Sequence, residues 1–81
     1  MDPIEIQRLI EAGFKNAAVQ VVTDDNTHFQ VIVVASEFEG LRSIARHQQI
    51  YRCLGSLVGN EIHALSIRAF TPQEMHDQQQ G

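Results

Sequence analysis

The sequence predicts a small α+β domain with the element order α-β-β-α-α-β-α, and three observations carry that prediction. Two β-branched runs, residues 18–23 and 28–35, flank the polar cluster Asp24-Asp25-Asn26-Thr27, which is hairpin chemistry. A third run, residues 61–70, follows 25 residues later, room for the dozen or more that a parallel crossover takes. Helical periodicity fills the stretches before, between and after these runs. A right-handed crossover places the helices on one face of a three-stranded mixed sheet, which is a two-layer domain.

Each element has a local reason. Asp2-Pro3-Ile4-Glu5 starts the first helix: Asp2 caps, Pro3 suits the first turn, and Glu5 reaches back to the cap. Ile6, Leu9 and Ile10 follow at i, i+3, i+4, and Gly13 offers a left-handed stop. Strand one is AVQVVT and strand two HFQVIVVA, with Phe29, Val31 and Val33 on the core face. After a break at Ser36–Gly40, a short helix is expected over Leu41–Ala45. A second crossover helix carries the stripe Ile50, Cys53, Leu54, Leu57 and Val58, ended by Gly59-Asn60. Strand three, EIHALSIRAF, has Leu65 and Ile67 in phase. Thr71-Pro72-Gln73-Glu74 repeats the capping-box pattern and opens a last helix. Residues 1–77 read as a single domain and residues 78–81 as a disordered polar tail.

The chain has 81 residues, enough for one core. With 43% apolar and 20% charged residues it is ordinary for a soluble protein, and no apolar run approaches the roughly 20 residues that span a bilayer. The acidic start MDPIEIQRLIEAG is unlike a secretory signal, so the expected location is the cytoplasm. One cysteine, Cys53, excludes an internal disulfide, and no CxxC pair is present. The net charge of −4 is unevenly spread. Residues 1–40 hold two basic against seven acidic side chains, and residues 41–70 hold four arginines against Glu61 alone.

His28 and His63 each open a strand, and strands joined by a parallel crossover start at the same sheet edge. Two neutral imidazoles there form half of a metal-ligand set. His63, in phase with Leu65 and Ile67, is either a partly buried histidine at the core rim or a ligand. His28 is either an exposed residue after a turn or the second ligand, and alternation turns it to the face opposite His63. His47 lies between the two crossover helices, where a capping or polar partner contact fits. His76 sits near a fraying end. Cys53 occupies the apolar stripe and reads as core. No G-x-S-x-G, P-loop or G-x-G-x-x-G occurs, and Glu37 with Glu39 reads as a solvated turn, so no enzyme is expected.

Phe38-Glu39-Gly40, Arg46-His47 with Tyr51, Ile62-His63-Ala64-Leu65-Ser66-Ile67 and Thr71-Pro72-Gln73-Glu74 together resemble the BolA-like family. The loop Thr27-His28-Phe29, the short length and the polar tail look most like its bacterial IbaG (YrbA) branch. The resemblance runs from the first helix to Glu74. It implies a fold related to class II KH domains. It also implies a monothiol glutaredoxin partner and a [2Fe–2S] cluster bridged between the two chains with glutathione, in iron–sulfur trafficking, iron homeostasis and stress response. On this chain the ligands it implies are His63 and, from the loop after strand one, His28. Two nitrogens and two thiolates then complete a set like that of Rieske centres. Alone, the chain is expected to be a monomer or weak homodimer, with no membrane contact.

The competing expectation is a transcriptional regulator. Residues 41–58 would mimic a helix-turn-helix, with Arg42, Arg46, His47 and Arg52 facing DNA phosphates or, alternatively, an acidic protein partner. No KH-type G-x-x-G loop lies between the crossover helices. Leu41 and Gln48-Gln49 stand where relatives are more polar or basic, which weakens the nucleic-acid face rather than the ligand pair.

Overall fold

A helix, a hairpin, a helical crossover back into the sheet and a final helix make up the chain in the computed structural model, which describes residues 1–80. The elements are α1 (Pro3–Ala12), β1 (Ala17–Thr23), β2 (His28–Ala35), α2 (Ser43–Leu54), β3 (Ala64–Phe70) and α3 (Pro72–Gln80). Two single 3-10 turns, Ser36–Phe38 and Gly55–Leu57, flank α2. The sheet order is β1-β2-β3, with β1 antiparallel and β3 parallel to the central β2. This is the mixed three-stranded α+β architecture that the sequence predicts.

Local chemistry explains most of the boundaries. The Asp2 carboxylate accepts a hydrogen bond from the Ile4 N–H at 2.9 Å, which caps α1. The reciprocal bond expected from Glu5 does not form. At the start of α3 both halves of the capping box are present. Thr71 N donates to Glu74 Oε1 at 2.9 Å, and Glu74 N donates to Thr71 Oγ1 at 3.2 Å.

The odd-numbered residues of β2 (Phe29, Val31, Val33, Ala35) are all buried, as alternation predicts. They pack with Ile6 and Ile10 of α1, Ile50 and Leu54 of α2, Phe38 and Ile62. The sheet's other face carries Ala18, Gln20, Ile32, Val34, Arg68 and Phe70, and α3 leans over it through Met75 and Gln78 to leave a groove of about 450 Å³.

Four expectations are corrected. Residues 41–58 hold one α-helix, not two, because nothing in Arg46-His47-Gln48-Gln49 breaks a helix; Leu41 and Arg42 only lead into it. No helix-turn-helix pair therefore exists there, and His47 sits inside α2. Gly13 is right-handed (φ −86°), and its small size serves another end: a Cβ there would collide with Cys53 Sγ. Strand β3 begins at Ala64 rather than Glu61. Lastly, α3 continues through Gln80, tied to the sheet by Arg68 Nη2 donating to Gln78 Oε1 at 3.2 Å. The disordered tail expected at 78–81 is helical to that point, and Gly81 lies outside the described residues.

Candidate functional site

The parallel register pairs His28 with Ala64, the neighbour of His63, and His63 N donates to Thr27 O at 3.2 Å. Paired strands lie about 4.8 Å apart and consecutive Cα atoms 3.8 Å, so the two histidine Cα atoms are at most about 9 Å apart. The crossover argument thus holds at the backbone level.

The premise of the phase expectation changes, because His63 lies before β3 rather than within it. Residues 59–62 form a tight turn in which Glu61 N and Ile62 N both donate to Leu57 O, at 3.0 and 2.9 Å. Ile62 fills the core there with no exposed surface. His63 follows it outside the strand and is exposed, not the partly buried rim residue that alternation with Leu65 suggested. Both imidazoles are therefore open to solvent at one edge.

His28 is built into the β1–β2 turn. Asp25 Oδ1 accepts from Thr27 N at 3.0 Å and His28 N at 2.9 Å, an Asx turn that closes the hairpin. Its second oxygen, Oδ2, lies 2.7 Å from His28 Nδ1. Thr23 Oγ1 donates to His28 O at 2.7 Å, and Asn26 takes the left-handed conformation at φ 60°. The backbone N–H of His28, then its ring, then the Thr27 N–H hold the Asp25 carboxyl well below the usual carboxylate range. His28 also borders a recess of about 460 Å³ on the sheet's outer face, over Val22, Gln30 and Ser66. Asp25 carries a role that sequence reasoning missed. The available signal was local: an aspartate three residues before a histidine that opens a strand.

The four residues assigned to a partner or nucleic-acid face separate. Arg42 and Arg52 are exposed, and His47 is half-buried. Arg46 is turned inward, its side chain 11% exposed. Its Nε donates to Leu41 O at 2.9 Å, and Nη1 donates to Ala69 O at 3.1 Å. The guanidinium forks onto Glu74 at 2.6 and 3.1 Å and lies 5.7 Å from the centre of the Phe38 ring. A residue engaged on every side is not available to a phosphate, so Arg46 leaves the contact face. In its place α2 shows solvent two large apolar side chains, Ile44 (68% exposed) and Tyr51 (41%), seven residues apart on one side of the helix. Cys53 is half-buried, and burial pushes its thiol up. That agrees with the core role expected of it.

Among the described residues, no group of three or more His, Cys, Asp or Glu side chains is placed to hold a metal ion. Fold and edge define the class: a small α+β domain, hairpin plus parallel crossover, that presents two imidazoles at the start of its parallel strands.

Comparison with known proteins gives the family. The sequence model described as BolA-like protein matches residues 3–74. Acid stress protein IbaG of Escherichia coli is 37% identical over 75 residues, covering 91% of this chain and 88% of that one. Human BolA-like protein 1 is 43% identical over 72 residues, covering 89% of this chain and 53% of its own. A Haemophilus influenzae protein named DNA-binding transcriptional regulator BolA is 40% identical over 48 residues. A solved bolA protein homologue from Coxiella burnetii superposes with a TM-score of 0.82 at 34% identity, over 94% of this chain and 97% of that one. The chain belongs to the BolA-like family. It spans about half the length of its H. influenzae, human and Arabidopsis relatives.

Proposed function

We propose that this protein is the histidine-bearing partner in a shared [2Fe–2S] site, pairing with a monothiol glutaredoxin in iron–sulfur cluster trafficking. The observation that carries the reading is the pair of exposed imidazoles, His28 and His63, brought to one edge by the parallel register. A [2Fe–2S] cluster takes four terminal ligands in all; His28 and His63 would supply two, and thiolates of glutaredoxin and glutathione, ligands of matching softness, would supply the other two. Such a His/thiolate cluster supplies a higher reduction potential than an all-thiolate one. This chain's own part is to present one ring nitrogen of each histidine at the edge and to orient the partner. Exposed Arg42 and Arg52, with half-buried His47, suit an acidic docking surface. The role is binding rather than catalysis, and we place it in the cytoplasm. No helix among the described residues is long and apolar enough to cross a membrane.

The test is reconstitution with monothiol glutaredoxin, glutathione, iron and sulfide. A heterodimer is expected whose visible spectrum differs from that of the glutaredoxin homodimer. His63→Ala should abolish the difference and His28→Ala should shift or weaken it. A spectrum indifferent to His63→Ala would sink the ligand assignment.

A second reading, transcriptional regulation through DNA, draws support from the name of the H. influenzae relative and from exposed Arg42 and Arg52. It loses Arg46 to internal contacts and must overcome a net charge of −4. Titration with promoter and random duplex at two salt concentrations decides it. Equal affinities that collapse with salt mean non-specific attraction only.

A further inference from the structure

We propose that Asp25 is the positioning residue of the sheet-edge site, holding His28 by Nδ1 so that Nε2 is the ring nitrogen offered to a metal. The inference rests on the reading of His28 as a ligand and adds which atom ligates and what fixes it.

An ionised carboxylate only accepts hydrogen bonds, so the 2.7 Å contact between Asp25 Oδ2 and His28 Nδ1 requires a proton on Nδ1. In a neutral imidazole that places the lone pair on Nε2. Among the described residues Nε2 has no hydrogen-bond partner, and the side chain is 68% exposed. Free imidazole side chains in water favour the opposite tautomer, so the turn imposes this one.

Asp25 is itself held. Its other oxygen takes the N–H groups of Thr27 and His28 at 3.0 and 2.9 Å, so the carboxylate cannot swing away without opening the turn. Thr27 Oγ1, 3.2 Å from Nδ1, flanks the same nitrogen. A carboxylate bonded to the far nitrogen of a ligating histidine fixes ring orientation and raises ligand basicity.

The same turn also reaches the second histidine. Thr27 O accepts from His63 N, whereas the His63 ring makes no hydrogen bond among the described residues. One imidazole is thus preset and the other adjustable, an arrangement that lets a docking partner complete the set without distorting the hairpin.

Asp25→Asn is the informative variant because its amide oxygen can keep the two backbone bonds while its NH₂ faces Nδ1. Long-range ¹H–¹⁵N correlation spectra of the apo protein, at a pH where imidazoles are neutral, should show His28 protonated on Nδ1. Asp25→Asn should invert it to Nε2–H, with Thr27 and His28 amide shifts reporting an intact turn. Wild type found in the Nε2–H form overturns the proposal, and so does an Asp25→Asn protein that keeps Nδ1–H. In the reconstituted heterodimer, Asp25→Asn should weaken cluster retention about 10- to 100-fold and leave the glutaredoxin homodimer unchanged. If His28→Ala alters the heterodimer spectrum but Asp25→Asn does not change retention, the positioning role fails and the ligand reading stands. If His28→Ala alters nothing, the ligand reading of His28 fails, and the positioning role with it.

Discussion

Replacing Arg46 by alanine should be among the most damaging surface-to-core changes in this chain, and its magnitude can be worked from the contacts. Two backbone carbonyls, Leu41 O and Ala69 O, take charged N–H groups at 2.9 and 3.1 Å. Hydrogen bonds from charged donors contribute about 1.5–3 kcal/mol each. Water reaches part of the vacated space and recovers some of that, while the loss of the Phe38 face adds about 0.5–1 kcal/mol. The Glu74 pair is half exposed and adds little. A net loss of about 3 kcal/mol follows, against the roughly 4–12 kcal/mol that holds a domain of this size. That corresponds to a fall in Tm of about 12–24 °C. Urea unfolding followed by circular dichroism should show the lower midpoint with an unchanged slope. Arg46→Lys should fall between, because an ammonium cannot fork onto Glu74 while reaching both carbonyls. A loss below about 1 kcal/mol for Arg46→Ala would refute the reasoning and return Arg46 to the contact face.

Two further predictions concern the interior and acid. Glu74 has its carboxyl held at about 2 by the Arg46 guanidinium first and the Thr71 N–H second, against an ordinary 4.5. A depressed carboxylate stabilises the fold above its ordinary value and loses that contribution as pH falls towards the depressed one. The stability gap between wild type and Glu74→Gln, read from urea midpoints, should therefore be small but measurable at neutral pH and close between about pH 4.5 and 2. A gap constant with pH would contradict the coupling. Gly13→Ala meets no backbone penalty, yet its Cβ collides with Cys53 Sγ, so it should cost about 1–3 kcal/mol. Thermal melts of the double mutant with Cys53→Ala should show the cost largely relieved. Strict additivity would mean that the two residues do not touch.

What the sequence disclosed is what depends on neighbours within a turn. The Asp2-Pro3 start, the hairpin cluster at Asp24–Thr27, the alternation of β2 and the capping box at Thr71 and Glu74 are all local, and all form save the Glu5 half of the first cap. The stripe Ile50 and Leu54 is buried as its spacing required. What stayed hidden depends on distant partners. Arg46 reads as a surface cation until Ala69 and Glu74, 23 and 28 residues on, arrive beside it. Gly13 reads as a helix stop until Cys53 packs against it. His63 reads as a strand residue because periodicity cannot register the three N–H bonds, from Asn60, Glu61 and Ile62, to Leu57 O that delay β3. In the candidate site, the common edge of His28 and His63 followed from topology alone. The Asp25 brace was within reach of sequence, since an Asp-x-x-His turn is a local motif.

The two polar networks sit at opposite ends of the parallel strands, and that placement has a consequence. At the finishing end Arg46 joins α2, the last residues of β3 and the first turn of α3 through bonds satisfied within the chain. At the starting end the Asp25 turn uses its carboxylate on backbone and Nδ1, leaving Nε2 of His28 and the His63 ring uncommitted among the described residues. Burying imidazoles would favour their internal hydrogen bonding and withdraw them from a metal. An edge that keeps its imidazoles exposed therefore leaves the fold to draw its stability elsewhere. Loss of the Arg46 network should lower stability without moving the His28 tautomer, and loss of Asp25 should move the tautomer with a far smaller effect on the melt. Had one network served both ends, neither variant would separate fold from site.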